Sequence, residues 1–274
     1  MRADLLRARA YLRRRPDAGE SELYAEWYHD SEAGPRDYPA PAAYMAASLD
    51  PARFEAGWRV ARRAPGAAGA VVATRDGDER LVAPPDCAPE TFGDLALRPG
   101  AALRVDRLAK GYRDGFWHVW SAGWRRDGAP ARLRRFYFVM APGAETVFAA
   151  RVLATAAGDA AWSMKFLSGR HAAGRRDRAV LYVATRERLG AGWLRDAVAA
   201  GAPLCAGRPP PLTRIVADGV GQAPDPGDGA SFGQAVCRCL LDAAREPDAL
   251  RDEARWLAAA VARLGALLPA GTRP

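Results

Sequence analysis

The residue best suited to take part in a chemical reaction is Lys165, in the apolar segment WSMKFLSG at positions 162–169. The chain has 40 basic residues, of which only Lys110 and Lys165 are lysine. Arginine stays protonated at any working pH, whereas a lysine amine in an apolar site can lose its proton and act as a base. Lys165 is therefore the first candidate for a residue that takes a proton from a substrate.

Basic and hydroxyl side chains follow Lys165 in the C-terminal half of the chain. The segment GRRDRAVLY places arginines at the start of a predicted strand. The segment PLTR is predicted to be extended, and DPGDGASFGQAVCR to begin a helix. Arginine side chains together with backbone amides at a helix N-terminus bind phosphate. The candidate residues of this phosphate site are Arg175, Arg178, Thr213, Arg214, Ser231 and Arg238.

A phosphate clamp beside a basic amine indicates one class of reaction, β-elimination. The lysine would remove the α-proton of a phosphoserine or phosphothreonine, and phosphate would leave from the β-carbon. In the alternative interpretation Lys165 only extends its ammonium group from a strand to solvent, and the arginines form surface ion pairs. The spacing of the residues does not by itself separate these two interpretations.

The elements that must position these residues alternate between helices and strands. We predict a basic helix at 2–14, a short helix in GESELYAEWYHD, a β-meander over 57–85 that turns at RDGDE, and strands in AALRVDRL, GFWHVWSAG and RLRRFYFVM. The C-terminal half adds strands in AWSMKFLS and RAVLYVAT, an extended PLTRIVAD segment, a loop over GVGQAPDPGDGAS and several helices. This pattern predicts an α+β fold with a central, mostly antiparallel sheet flanked by helices.

A division near residue 100 is predicted within one compact unit. Residues 1–100 form an N-terminal helical and β-hairpin region, and residues 101–274 carry the phosphate chemistry. The aromatic LYAEWY helix and the basic first helix are candidates for contact with a partner protein. The interpretation that we prefer for LYAEWY is a helix face packed on the core, because its apolar residues recur at i, i+4 spacing.

Composition argues against several other classes of protein. The 274-residue chain is 49% hydrophobic and 26% charged, which supports a packed core, and its net charge of +8 is spread over scattered arginines. The four cysteines and three histidines fit no common metal site, and no P-loop, dinucleotide fingerprint or hydrolase motif occurs. We therefore predict no metal and no organic cofactor. Aromatic residues fall in core-like strands, which argues against nucleic-acid binding.

The N-terminus lacks the apolar run of a secretory signal, and no apolar stretch approaches the roughly 20 residues that span a bilayer. We predict a cytoplasmic protein without a membrane partner, with thiols that are buried or idle in a reducing compartment.

The order of the motifs is similar to that of the HopA-type effector family. The segments that carry this resemblance are SMKFLSG, RRDRAVLYV and PPLTRIVADGVGQAPDPGDGASFGQAVCR, with LYAEWY and RRFYFV as further signatures. Together they span most of residues 20–245. Members of the family include type III effectors of plant pathogens, and relatives serve as lyase subunits in class V lanthipeptide and thioamitide biosynthesis. The chain departs from the family pattern at Arg238, which lies five residues after Gly233.

The resemblance implies a lyase that eliminates phosphate from phosphoserine or phosphothreonine of a ribosomal precursor peptide, leaving dehydroalanine or dehydrobutyrine. It implies Lys165 as the base. Arg175 or Arg178, together with Arg214 and Arg238, would form the phosphate clamp. A separate Ser/Thr kinase subunit would supply the phosphopeptide and is an expected physical partner.

Other roles stay open at the level of sequence. The general acid is either His118 or Tyr137, and the enolate would be stabilised by a backbone amide, Arg135 or Lys110. Tyr182 is expected to line the site, and Asp177 to orient an arginine. The alternative function is a non-catalytic, effector-like scaffold, in which the same arginines recognise a phosphopeptide or an acidic leader without chemistry.

Overall fold

The computed structural model of the chain shows a mixed α+β fold, as the alternating sequence pattern predicts. It describes residues 1–29, 36–65, 69–90, 95, 97–127, 129–130, 132–155, 160–171, 175–184, 192–265 and 267–268. In these ranges the strands are β1 Arg36–Tyr38, β2 Phe54–Arg63, β3 Val71–Arg75, β4 Asp78–Val82, β5 Cys87–Pro89, β6 Ala102–Asp106, β7 Ala109–Arg113, β8 Phe116–Trp120, β9 Leu133–Phe138, β10 Trp162–Leu167, β11 Gly169–His171, β12 Ala179–Ala184, β13 Arg214–Ala217 and β14 Val220–Pro224.

Eight α-helices occur in the same ranges, and none of them is long and apolar enough to cross a bilayer. The helices are α1 Arg2–Arg14, α2 Glu20–Leu23, α3 Pro41–Ala47, α4 Ala122–Asp127, α5 Glu145–Thr155, α6 Gly192–Gly201, α7 Phe232–Ala244 and α8 Glu253–Leu264. The basic helix predicted at 2–14 is thus confirmed as α1.

A seven-stranded sheet lies at the centre of the molecule, with its strands in the order β13, β14, β9, β12, β10, β8 and β7. Every neighbouring pair in it is antiparallel. The strands predicted in RLRRFYFVM, AWSMKFLS and RAVLYVAT are confirmed as β9, β10 and β12. They occupy the middle of the sheet, where both faces are covered or partly covered.

The segment GVGQAPDPGDGAS is predicted as a loop, and for its first half this prediction is wrong. Residues Val220–Pro224 form β14, which is mostly buried and pairs with both β9 and β13. Gly221 is needed here for close packing within the strand, and it does not end the strand. A Cβ on Gly221 would come within 2.4 Å of Thr213 Oγ1 and 2.7 Å of Pro209 Cβ, so glycine lets the preceding segment lie across the strand.

Different helices cover the two faces of the central sheet. One face packs on α3, α5 and α6 around Trp162 and Phe166 of β10. The other face packs on α1, α7 and α8, and this core reaches the sheet at Tyr137 and Val180. Among the described residues, the β10 and β8 side chains of this second face lie outside that core. There Lys165 is only half-buried.

The LYAEWY segment belongs to the core. It completes α2 and continues as one π-helical turn, Tyr24–Tyr28, in which Trp27 and Tyr28 are buried. The interpretation of an aromatic face packed on the core is confirmed, and the buried side chains of Trp27 and Tyr28 are not available to a partner protein. The first turn of α7 approaches this π-helical turn closely because it carries Gly233, where a Cβ would lie 2.4 Å from the Tyr28 ring.

A smaller, five-stranded sheet contains the predicted meander, with strands in the order β4, β3, β2, β6 and β5. A buried ion cluster joins it to the central sheet. Lys110 Nζ on β7 lies 2.8 Å from Asp106 at the end of β6 and 2.6 Å from Asp86, just before β5. The division of the chain near residue 100 stays a prediction. The small sheet ends at Asp106, and α1 contacts α8 at the opposite end of the sequence.

Candidate active site

Lys165 lies at the centre of the sheet face that the helices leave partly open. The strand register places two rows of side chains on this face. One row contains Gly111, His118, Lys165, Val180, Tyr137 and Gly221, and the next contains Ala109, Trp120, Ser163, Tyr182, Arg135 and Ala223. Cross-strand neighbours in a row are about 5 Å apart, so His118 is beside Lys165 and Tyr137 is two strands away.

Two cations, Lys165 and Arg175, approach the ring of Phe116. Lys165 Nζ lies 4.2 Å from the ring centroid and the guanidinium carbon of Arg175 lies 5.4 Å from it. Lys165 Nζ is also 6.0 Å from the centroid of the Tyr182 ring. Among the described side chains, no carboxylate is within ion-pair distance of this nitrogen. Aromatic faces attract a cation without neutralising it, so the site keeps an unpaired amine next to an arginine.

Arg175 is held rigidly by Asp177. Its Nε and Nη2 donate to the two carboxylate oxygens at 2.8 and 2.9 Å. Burial would raise the pKa of Asp177, but His29, Arg175 and Lys165 outweigh that effect and hold the pKa well below its usual range. The expectation that Asp177 orients an arginine is confirmed.

His118 is fixed by its aromatic neighbours. Its ring stacks on Trp120 with centroids 5.4 Å apart and an interplanar angle of 10°, and Trp120 has room because a Cβ on Gly111 would meet the indole at 3.2 Å. The imidazole donates to the backbone carbonyl of Arg113. Burial, followed by the charge of Lys165, lowers the pKa of His118 to about 4. The ring is therefore neutral near pH 7, with one nitrogen left as an acceptor.

Arg135 forms the other side of the site. Its Nε and Nη2 donate to Asp225 at 3.0 and 2.7 Å, and its guanidinium carbon lies 5.3 Å from the centroid of the Tyr182 ring. Tyr182, predicted to line the site, thus has Arg135 and Lys165 around its ring. Arg135 also hydrogen-bonds to the Tyr137 hydroxyl, and burial raises the pKa of Tyr137 despite this cation. The phenol therefore keeps its proton.

The guanidinium of Arg178 is hydrogen-bonded to backbone carbonyl oxygens. Its Nε donates to the carbonyl oxygen of Arg175 at 3.1 Å, and its Nη1 donates to the carbonyl oxygen of Met140. These contacts tie the start of β12 to the end of β9 and direct the guanidinium to the chain itself.

The structure does not bring Arg214 to Lys165. Arg214 pairs with Gln222, and Gln222 pairs with Phe136, whose side chain belongs to the core on the opposite face. Four strand spacings separate β13 from β10, which is roughly 19 Å. Thr213 donates its hydroxyl to the carbonyl oxygen of Pro210 at 2.7 Å, three strands away from the lysine.

Ser231 and Arg238, the predicted site residues at the start of α7 and within it, make contacts other than with Lys165. Ser231 is its N-cap and accepts a hydrogen bond from the backbone N–H of Gln234 at 3.1 Å. Arg238 is exposed and pairs with Glu20 at 3.4 Å and Asp228 at 3.3 Å. Neither side chain contacts Lys165, although Ser231 Oγ lies 3.4 Å from the hydroxyl of Tyr24.

Lys110, the second candidate for the enolate, points to the other face and is bound by two carboxylates. Arg135 is therefore the enolate candidate that shares a face with Lys165. Within the described ranges, no group of His, Cys, Asp and Glu side chains is arranged to hold a metal ion.

Sequence reasoning missed two kinds of site residue. Phe116 and Trp120 line the site with His118, and the two-residue alternation of FWHVW indicates that all three face one side of a strand. His29 lies beside Arg175 and Asp177, yet no local pattern signals this contact because the partners are 146 residues apart.

Searches with protein-family models and with curated protein sequences find no match to this chain. Two solved structures share its fold. The effector protein from Pseudomonas syringae pv. tomato strain DC3000 aligns with a TM-score of 0.55 and 11% identity over 96% of this chain and 92% of that one. The effector protein from Pseudomonas syringae pv. syringae strain 61 gives a TM-score of 0.52 and 12% identity over 95% and 92%. At these identities the likeness is one of fold alone.

Proposed function

We propose that this protein is a phosphoserine/phosphothreonine lyase of the HopA type, which eliminates phosphate from a ribosomal precursor peptide to leave dehydroalanine or dehydrobutyrine. The observation that carries the proposal is the amine of Lys165, which has no carboxylate partner among the described residues and lies beside Arg175 and the neutral His118. A base next to an oriented anion-binding group is what the elimination of phosphate requires.

In the proposed reaction Lys165, as the free amine, takes the proton from Cα of the phosphorylated residue. The electron pair released forms the Cα–Cβ double bond while the bond from Cβ to the phosphate oxygen breaks. The phosphate departs from the Arg175 side of the site, and the lysine later returns its proton to solvent. Atoms and charges balance without an oxidant, a metal or an organic cofactor.

Geometry favours His118 over Tyr137 as the general acid. His118 is the direct cross-strand neighbour of Lys165, whereas Tyr137 is two strands away and buried. The imidazole is neutral in the ligand-free protein, but a phosphate dianion beside it stabilises the charged form and raises its pKa. The proton that leaves with phosphate is therefore taken up as the substrate binds.

The proposed clamp centres on Arg175, with Arg135 opposite the developing enolate. Both guanidinium groups are oriented in advance by carboxylates, Asp177 and Asp225, which is the arrangement that lowers a barrier most effectively. Arg178, Arg214 and Arg238 are left outside this clamp, because their contacts direct them elsewhere.

The substrate requires phosphorylation before it reaches this site. We propose that a Ser/Thr kinase subunit acts first, in the cytoplasm, and passes the phosphopeptide directly to the lyase. Because Leu23, Trp27 and Tyr28 of the LYAEWY segment are buried, a contact with such a kinase does not use these side chains.

The Lys165→Arg variant tests the base. It keeps the positive charge but removes a base that can be deprotonated, so we expect elimination from a synthetic phosphothreonine peptide to fall at least about a hundredfold. Mass spectrometry of the peptide reports the loss of phosphoric acid. The matched control is Arg195→Lys on the exposed side of α6, which should react like the wild type.

Other outcomes of this assay have distinct meanings. A wild-type protein that binds the peptide but never eliminates phosphate contradicts the lyase and supports the non-catalytic scaffold. Full activity in Lys165→Arg contradicts only the base assignment. The variants His118→Gln and Tyr137→Phe decide between the two acids, since only the acid's removal should slow departure of phosphate.

A further inference from the structure

A buried histidine lies directly behind Arg175. His29 follows the π-helical turn, and only 4% of its surface is exposed. Its Nε2 is 3.4 Å from Nη2 of Arg175, and its Nδ1 is 3.5 Å from Oδ1 of Asp177. Because the same carboxylate accepts two hydrogen bonds from Arg175, the three side chains form a closed triangle.

Two tyrosines hold the imidazole in this position. The ring of Tyr24 meets His29 edge-on with centroids 4.4 Å apart, and the ring of Tyr28 does so at 5.3 Å. Tyr24 also hydrogen-bonds to Arg175. The π-helical turn and His29 after it thus pack against the guanidinium of Arg175.

The contacts assign the proton on His29. Arginine has only donors, so Nε2 accepts from Arg175 and carries no hydrogen. Nδ1 then carries the single proton and faces Asp177, without a formed hydrogen bond in the ligand-free protein. Burial is the main cause that lowers the pKa of His29 to about 4; Arg175, Lys165 and Arg176 act in the same direction and Asp177 opposes them. A neutral ring agrees with this geometry.

We infer that His29 is a positioning residue of the anion site, which fixes the guanidinium of Arg175 from behind so that its remaining N–H groups meet a phosphate in one orientation. The inference takes the identity of the anion, a phosphate monoester on a peptide, from the proposed function. It does not depend on the bond-breaking step.

The same geometry argues against a role for His29 in proton transfer to or from the substrate. Its Nε2 faces a cation, and its only proton faces a carboxylate, so neither nitrogen is directed at the substrate. His118, whose ring centroid lies 6.2 Å from that of Phe116, keeps a free acceptor nitrogen and is the histidine proposed for proton transfer.

Two substitutions, each made in the Lys165→Arg background so that the peptide is not consumed, test the inference by calorimetric titration with a phosphothreonine peptide. His29→Leu has no acceptor for Arg175, and we expect its dissociation constant to rise roughly tenfold to a hundredfold. His29→Gln can place its amide oxygen near the position of Nε2 and should bind close to wild type. In turnover, His29→Leu should change KM far more than kcat.

A double-mutant cycle shows whether His29 acts through Arg175. Arg175→Met alone should weaken binding, and adding His29→Leu should then have little further effect, because coupled residues are not additive. Nitrogen-detected NMR of the wild type should show His29 as the Nδ1–H tautomer near neutral pH. An Nε2–H tautomer would contradict the inference.

Several results would overturn it. These are wild-type affinity in both His29 variants, equal loss of kcat in both with unchanged affinity, or a lower thermal unfolding midpoint as the only effect. Binding is measured independently of elimination, so a wild type that binds without eliminating contradicts the lyase and leaves the His29 result intact. A wild type that does not bind the phosphopeptide contradicts both.

Discussion

The chemistry proposed for Lys165 comes from its neighbours. Both Lys165 and Arg175 approach the ring of Phe116. Lys165 also lies beside His118, and its charge helps to lower the pKa of that histidine. An arginine at this position would also bind an anion, but it would not give up a proton. At the scale of single residues the proposed site is therefore asymmetric, with arginine proposed for binding and lysine for proton removal.

Two histidines with lowered pKa values make the folding stability depend on pH. The pKa of His29 and of His118 is lowered from 6.5 to about 4, so between these values the unfolded chain binds protons that the folded protein does not. The free energy of unfolding is then highest above pH 6.5 and falls as the pH drops through this window. Asp177 titrates below the window and does not contribute to this change.

Urea unfolding at about pH 7 and about pH 4.5 measures the effect. We expect His29→Gln and His118→Gln each to show a smaller loss of stability between these conditions than the wild type. An unchanged difference in either variant would contradict the assignment of a neutral imidazole with a lowered pKa to that position.

At the scale of elements, the site depends on a contact between α7 and the π-helical turn. Gly233 in the first turn of α7 leaves room for the rings of Tyr24 and Tyr28, where a Cβ would come within 2.6 and 2.4 Å. The same two rings hold His29 against Arg175. This close approach between two helical segments therefore sets the position of Arg175, which lies just before β12.

Gly233→Ala should disturb both stability and binding. Overpacking of this kind costs about 1–3 kcal/mol, measured by chemical denaturation, and the displaced tyrosines should weaken phosphopeptide binding by moving His29. Gly192→Ala at the start of α6 is the matched control, because a Cβ there meets no atom within 4 Å. Equal stability in the two variants would show that the α7 contact adjusts at no cost.

At the scale of the whole molecule, two sheets are joined through one buried lysine. Lys110 has only 2% of its side chain exposed and is bound by Asp86 and by Asp106, which is fully buried and also pairs with Arg53. Of the two lysines in the chain, one is thus part of the framework and the other faces the proposed ligand. Scarcity alone does not distinguish their roles.

Lys110→Met should destabilise the protein strongly. Removing one partner of a buried ion pair leaves an uncompensated charge, and we expect a loss of about 3 kcal/mol, since Arg53 still pairs with Asp106. Arg62→Met, which breaks an exposed pair with Glu79, should change the denaturation midpoint little. Similar midpoints in the two variants would contradict a structural role for Lys110.

Local sequence patterns determined the elements of this protein and several of their details. Short apolar runs predicted β9, β10 and β12, and helical spacing predicted the buried LYAEWY face, because these signals depend on residues only a few positions apart. The same short range explains why Asp177 could be predicted to orient an arginine two residues away. The loop predicted over Val220–Pro224 failed because Gly and Pro density does not reveal which segment packs across a strand.

Only the tertiary structure decided which residues meet at the site. Strand order and register are long-range properties, and they put His118 beside Lys165 but send Arg214 to the opposite face of the sheet. The contact of His29 with Arg175 joins segments 146 residues apart. The sequence alone determined a lysine on a strand near several arginines. Long-range packing, which the periodicity of a single segment cannot encode, decided which arginine and which histidines accompany it.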